Sequence, residues 1–190
     1  MSSGARRSEE ARRAILASAL AITGELGYER ASIEAIARRA GSGKQTIYRW
    51  WPTKAAVLQE AVEDANGAST AFPDTGEVVG DLRSQMHGVV AFFVDPELGP
   101  VFRGLIAAAQ SDPEVADATL RSLFGPRRQV AIDRLVAEQQ RGRLDPQADA
   151  ELLVDLLYGP LYYRLLVTRG VLDDHYVDQL VSAVVVPLTR

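Results

Sequence analysis

The chain has 190 residues and no cysteine, with 47% hydrophobic and 24% charged residues. A chain of this length buries enough surface to fold without disulfides or metals, and the lack of cysteine excludes cysteine-ligated zinc and thiol catalysis. The histidines, His87 and His175, lie far apart, so no metal site is expected, and no cofactor motif is present. Because no secretory signal or long apolar stretch is found, we expect a soluble protein of the reducing cytoplasm.

Charge is divided unevenly along the sequence. Residues 1–60 carry ten Lys and Arg against six acidic residues, a net charge of +4, and the remaining residues carry −8. A basic head on an acidic body predicts that only the head meets a polyanion. A chance imbalance is an equally good explanation of charges this modest.

Apolar residues recur with the 3.6-residue period of a helix, which predicts an all-α fold of about nine helices. The first helix is predicted to follow Ser8 and to end at Gly27, and Ser32 is suited to cap the second. Leu152, Leu156, Gly159 and Leu166 form one apolar stripe near the C-terminus, and Leu153, Leu157, Leu161 and Leu165 form another. The remaining helices are predicted at residues 44–51, from 53 onward, and at 77–94, 99–110, 113–124, 126–141, 145 or 149 to 168, and 173 or 174 to the end, with a loop over 66–76.

Two short helices separated by a glycine-containing turn form the most informative segment, residues 31–54. This arrangement is the helix-turn-helix, whose second helix enters the major groove of DNA. In that second helix Ile47 is placed to face inward, while its neighbours are polar groups that can bond base edges or phosphates. The run Gly41–Thr46 is not a nucleotide-binding P-loop, because Arg38 and Gln45 occupy positions where that motif needs glycine and serine or threonine.

Residues 9–60 resemble the DNA-binding domain of the TetR family of transcriptional regulators. The matching features are Gly27-Tyr28, Ser32, Ile36-Ala37, Ala40-Gly41, Lys44, Thr46-Ile47-Tyr48, Trp51, Pro52 and Lys54. Four residues depart from the family pattern, namely Ser42, Gly43, Gln45 and Trp50. The first two affect the turn, and the last two affect which operator is read.

The resemblance implies a helix-turn-helix DNA-binding domain over residues 1–52 and an effector-binding and dimerisation domain over residues 53–190. It implies a ligand-responsive repressor that binds a palindromic operator as a homodimer through its last two helices, and not an enzyme. The residues that it places against DNA are Ser32, Lys44, Gln45, Thr46, Tyr48, Arg49 and Lys54.

In the family the middle helices enclose a small-molecule effector, so their apolar residues are candidates for a ligand pocket. These are Met86, Phe92, Phe93, Phe102, Ile106 and Phe124, although aromatic residues at helical spacing are more often ordinary core.

Two other functions stay open from the residues alone. One is a ligand-insensitive DNA-binding or architectural protein with the same head, and the other is an all-α enzyme with an incidental helix-turn-helix.

Overall fold

The computed structural model describes residues 3–66 and 72–189. These ranges contain no β-strand. Helix α7 is followed without a gap by a π-helical segment and α8, so the described residues form nine separate helical segments. The all-α prediction is confirmed. The helices are α1 Ser3–Leu26, α2 Ile33–Arg39, α3 Lys44–Trp50, α4 Lys54–Asn66, α5 Val78–Val94, α6 Leu98–Ala109, α7 Pro113–Thr119, the π-helical Leu120–Phe124, α8 Gly125–Gln140, α9 Ala150–Tyr162, the π-helical Tyr163–Thr168, α10 Asp174–Val184 and the 3-10 turn Val186–Leu188.

Helix ends follow the capping residues that the sequence supplies. Gly27, at φ +79°, ends α1 in the left-handed conformation that glycine adopts without strain. The Ser32 hydroxyl accepts a hydrogen bond from the Ala35 N–H at 3.2 Å at the start of α2. The Thr53 hydroxyl accepts one from the Ala56 N–H at 3.1 Å at the start of α4. The predicted Ser32 N-cap is therefore confirmed, and Thr53 caps α4 in the same way.

Several predicted helix bounds differ from the structure, most of them by one residue, and two of the larger differences have a local explanation. Helix α1 begins at Ser3 rather than after Ser8, because the intervening alanine and arginines favour a helix, despite Gly4 in its first turn. The helix predicted to reach residue 168 is α-helical only to Tyr162 and continues as a π-helix from Tyr163 to Thr168. Of the predicted 66–76 loop, Asn66 belongs to α4, residues 67–71 lie outside the described residues, and residues 72–76 are non-helical.

The described chain divides into two compact units. The first combines the residues up to Asn66 with Asp95–Leu123, so that α4 packs against α1, α6 and α7. Ile15, Ile36 and Leu58 are fully buried in it. The Gln59 side-chain amide of α4 donates a buried hydrogen bond of 2.8 Å to the Thr119 hydroxyl of α7.

The second unit holds the described residues of 67–94 and residues 124–189. In it α5 packs against α10, and α9 packs against both α8 and α10. Its interior contains an ion cluster, which we call the Arg134 cluster. The buried Arg134 guanidinium binds the carboxylates of Asp81, at 2.7 Å, and Glu138, which are 2% and 0% exposed.

No helix in residues 3–66 and 72–189 is both long enough and apolar enough to cross a membrane.

Candidate nucleic-acid interface

Helices α2 and α3 pack together across a tight turn, as the sequence predicts for a helix-turn-helix. Gly41 in the turn has φ +62°, a conformation that favours glycine because it lacks Cβ. Gly43 stands at the N-cap of α3 and provides no side-chain hydrogen bond there. Helix α3 is only seven residues long and has no side-chain N-cap. Contacts on its inner face must therefore hold it in position.

The inner face of α3 is anchored by Ile47, which is fully buried. The outer face carries most of the side chains that were predicted to meet DNA. Tyr48 is 45% exposed, so its ring and hydroxyl are accessible on this face. Exposed on this face are Lys44, Gln45, Tyr48 and Arg49, with Thr46 half-buried beside them.

Lys44 is held along the protein surface by its neighbours. Its ammonium forms an ion pair with the Glu34 carboxylate of α2 and lies 5.6 Å from the centre of the Tyr48 ring. The hydrogen bond from Lys44 lowers the pKa of Glu34, and the same bond raises the pKa of Lys44. Glu34 therefore competes with any anion for Lys44.

Lys54, at the start of α4, makes contacts inside the first unit. Its ammonium donates to the Tyr28 carbonyl at 2.5 Å and the Ala31 carbonyl at 3.0 Å, and it lies 4.1 Å from the centre of the Tyr28 ring. Burial lowers the pKa of Lys54, opposed by the charge of Glu29. Lys54 thus ties the start of α4 to the segment between α1 and α2, a role that sequence reasoning missed. The half-buried Ser32, which caps α2, lies in the same part of the chain.

A second set of contacts behind α3 was also missed. The Glu60 carboxylate of α4 accepts hydrogen bonds from the Trp51 indole at 2.6 Å and from the Arg12 guanidinium of α1 at 2.7 Å. Arg12 also bonds Glu9 and Asp64, both at 3.2 Å. Sequence separations of 9 and 48 residues carry no local signal for these pairings, so only the tertiary structure could identify them.

The candidate pocket residues lie in both compact units. Phe102 and Ile106 belong to the first, and the other four belong to the second. In the second unit Phe93 and Phe124 lie 5.2 and 5.9 Å from Tyr162, measured between ring centres. Met86, Phe92, Phe93 and Phe102 are buried, and Ile106 and Phe124 are half-buried.

The second unit also contains a polar pair that sequence reasoning did not include. The Tyr158 hydroxyl of α9 donates a hydrogen bond to the Gln85 side-chain oxygen of α5. Burial raises the pKa values of Tyr158 and Tyr162, so both phenols stay protonated at neutral pH.

The two predicted stripes of α9 have different surroundings. Leu153, Leu157 and Leu161 are buried within the second unit, which accounts for one stripe as core. The other stripe stays on the surface, where Leu152 and Leu156 are 54% and 46% exposed. Tyr163, in the π-helical segment that follows, is 58% exposed.

Two family models match the chain. Residues 15–61 match the model described as bacterial regulatory proteins of the tetR family, and residues 72–184 match the one described as the tetracyclin repressor-like C-terminal domain. Together they cover the helix-turn-helix and most of the remaining helices.

Curated relatives are similar along nearly their whole length. The HTH-type transcriptional regulator YdeS of Bacillus subtilis, described as uncharacterized, is 36% identical over 178 residues, which are 94% of this chain and 89% of that protein. The DNA-binding transcriptional repressor TetR of Mycobacteroides abscessus is 33% identical over 190 residues, covering 97% of this chain and 96% of the repressor.

Solved structures share the fold. The TetR family transcription regulator SCO0332 superposes with a TM-score of 0.77 at 34% identity, over 91% of this chain and 95% of that one. The fatty acid degradation regulator FadR of Bacillus halodurans superposes with a TM-score of 0.73, over 92% and 94% of the two chains. Its identity is only 19%, so it bears on the fold alone.

Proposed function

Because this chain belongs to the TetR family of transcriptional regulators, and is a DNA-binding regulator of that kind, we propose that it reads a palindromic operator as a homodimer and releases it when a small molecule binds. In this proposal residues 1–52 read DNA, while residues 53–190 bind the effector and dimerise. The observation that carries the DNA-reading role is the exposed polar face of α3, anchored behind by the buried Ile47.

The DNA contacts fall into two groups by chemistry. Gln45 is suited to bond an adenine edge through both ends of its amide, and Lys44 and Thr46 lie on the same seven-residue helix near its N-terminal end. Tyr48, Arg49, Ser32 and Lys54 are suited to phosphates. Contacts within the described residues use two of the three N–H donors of Lys54, so one remains for a phosphate oxygen.

The homodimer is supported by the exposed stripe of α9. Leucines that are about half exposed on one helix face are unfavourably hydrated. A second copy of the same face would cover them and remove that cost. Two helix-turn-helix heads related by a two-fold axis read half-sites about one DNA turn apart, roughly 34–36 Å. An operator with two inverted half-sites is therefore expected.

The effector is proposed to be a small, largely apolar molecule that binds among the middle helices. Its candidate contacts in the second unit are Met86, Phe92, Phe93 and Phe124. A ligand that prefers a protein conformation unsuited to DNA lowers operator affinity, and by linkage DNA lowers ligand affinity by the same factor. Such coupling is typically about 1–3 kcal/mol.

The DNA-reading function is tested by selecting duplexes from a random library with the purified protein. The expected product is an inverted repeat whose binding weakens steeply with salt, because phosphate contacts release counterions. A mutated half-site should reduce affinity strongly. Recovery of no preferred sequence would contradict the proposal.

The effector function is tested by reciprocal titration with the selected operator. A ligand that weakens operator binding should bind the protein–operator complex more weakly than the protein alone, by the same factor. A ligand that binds the second unit and leaves operator affinity unchanged is not an effector. If a broad library of apolar compounds yields no ligand with coupled binding, the chain is a ligand-insensitive DNA-binding protein.

A further inference from the structure

Glu60 joins three helices of the first unit at one carboxylate. One oxygen accepts the Trp51 indole N–H at 2.6 Å, and the other accepts the Arg12 guanidinium N–H of α1 at 2.7 Å. Trp51 is the residue at which α3 ends, and its backbone N–H still bonds the Ile47 carbonyl at 2.9 Å. The carboxylate therefore links α1 and α4 to the C-terminal end of α3.

The indole bond constrains the position of α3 because it has a single direction. An indole ring has one N–H donor, so the ring must lie where that donor meets the carboxylate. Trp51 is only 4% exposed, and a buried N–H without an acceptor destabilises the folded state. The short helix has no side-chain cap at its N-terminus, which leaves Ile47 and Trp51 as its two buried anchors in the described structure.

We propose that Glu60 is a positioning residue for sequence recognition, acting through Trp51 on the orientation of α3. This inference rests on the proposed function of α3 as the DNA-reading helix. It assigns a role in base discrimination to an acidic residue in a basic head, and Glu60 itself touches no DNA in this role.

Electrostatics and positioning predict opposite effects of neutralising Glu60. If only its charge mattered, Glu60→Gln would make the head more positive and strengthen binding to every duplex. If Glu60 positions α3, the amide presents an N–H₂ group or a weaker acceptor to the two donors, and the base contacts of α3 lose their alignment. Binding to the operator then weakens relative to binding to other sequences.

The experiment compares Glu60→Gln with a matched control, Asp64→Asn. Asp64 lies on the same helix, bonds the same Arg12 at 3.2 Å and is more exposed, with a side chain 48% exposed against 35% for Glu60. No hydrogen bond between Asp64 and Trp51 is present among the described residues. Both substitutions remove one negative charge, so a difference between them isolates the indole contact.

The measurement is the ratio of affinities for the selected operator and for a scrambled duplex, at two salt concentrations. Glu60→Gln is expected to lower this ratio about tenfold, the loss of one well-formed base contact, and Asp64→Asn should keep it within about twofold. Trp51→Phe, which removes the N–H and keeps the charge of Glu60, should lower the ratio similarly. The double variant Glu60→Gln with Trp51→Phe should lose no more than either single one, because both remove the same bond.

Three outcomes separate the possibilities. If Glu60→Gln and Asp64→Asn strengthen binding to both duplexes equally, the positioning role is overturned while the proposed function stands. If Glu60→Gln fails to fold, as judged by circular dichroism, an unchanged ratio for a folded Trp51→Phe overturns the inference by itself. If the unaltered protein shows no preference for any sequence, the proposed function and the inference fail together.

Discussion

Gly104 on α6 lies against Tyr28, which follows the end of α1, so closely that a methyl group added to the glycine would stand 2.6 Å from the Tyr28 Cβ. The carbonyl of the same Tyr28 accepts the Lys54 ammonium. Helix α6 thus lies directly behind the contact that holds the start of α4, and Gly104 permits this close approach because it has no side chain.

Gly104→Ala should destabilise the protein by about 1–3 kcal/mol. The Tyr28 Cβ is bonded directly to the backbone, so it can move away from the added methyl group only if its chain segment moves. An alanine in a helix interior otherwise adds up to about 1 kcal/mol of stability. Gly24→Ala is the control, since no heavy atom lies within 4 Å of its added methyl group. The free energy of unfolding, from urea titration, should fall for the first variant and rise for the second, and a rise for both would contradict the close contact.

Lys54→Met should lower both stability and DNA affinity. Loss of the two hydrogen bonds to carbonyl oxygens costs about 1 kcal/mol each, reduced because the site is only partly buried. If Lys54 also binds a phosphate, the slope of log affinity against log salt falls by about one for each head. Arg121→Met, which removes an exposed charge on the π-helical segment, is the control. A Lys54→Met protein that is destabilised but keeps the full salt slope would limit Lys54 to its structural role.

Gln45→Ala should relax sequence discrimination without changing the salt slope. A bidentate amide–adenine contact is worth about 1–3 kcal/mol of discrimination at its base pair. Affinities for a set of operators, each with one base pair substituted, should become nearly equal at one or two positions only. Uniform weakening on every duplex would instead assign Gln45 to the phosphate backbone.

Leu156→Asp should dissociate the proposed homodimer while leaving the subunit folded. The side chain is 46% exposed in the subunit, so the charge is tolerated there but would be buried without a partner in the proposed interface. Leu120→Asp is the control, because Leu120 is 57% exposed and lies outside the terminal helices. Sedimentation at micromolar concentration should give a monomer for the first variant and a dimer for the second. A monomeric unaltered protein would contradict the homodimer itself.

Glu138→Gln should reduce stability near neutral pH, with a cost that shrinks in acid. Burial opposes ionisation of Glu138, but hydrogen bonds from Arg143, Arg134 and Arg141 outweigh it and lower its pKa from 4.5 to about 2. A carboxylate with a lowered pKa in the folded state contributes stability above its unfolded pKa and loses it as pH falls towards the folded one. That contribution is about 3 kcal/mol at neutral pH and is lost between about pH 5 and pH 2.

Urea titrations at pH 7, 5, 4 and 3 and constant protein concentration should therefore show the two proteins converging, mainly below pH 5. The control is Glu151→Gln, which removes a carboxylate whose side chain is 70% exposed and which pairs with Arg128 at 3.3 Å. A difference between the unaltered protein and Glu138→Gln that stays constant with pH would contradict the lowered pKa.

Local features were predictable from the sequence wherever one residue type meets a local requirement. Ser32 and Thr53 cap helices because a hydroxyl two or three residues before an unpaired N–H can accept its hydrogen bond, and Gly27 ends α1 because it adopts positive φ. The helical period of the apolar residues determined the all-α class, and the helix-turn-helix followed from two such helices and a glycine turn.

Tertiary structure decided which side chains meet when they are far apart in the chain. Lys54 is a plausible phosphate ligand by sequence, yet its bonds to Tyr28 and Ala31 exist only because α4 packs against the end of α1. Glu60 carries no signal in the sequence, since its partners are chosen by the packing of α1, α3 and α4. Of two leucine stripes with the same helical period on α9, packing buries one and leaves the other in solvent. Periodicity describes a helix face, whereas burial depends on which neighbour covers that face, and this is a property of the folded chain alone.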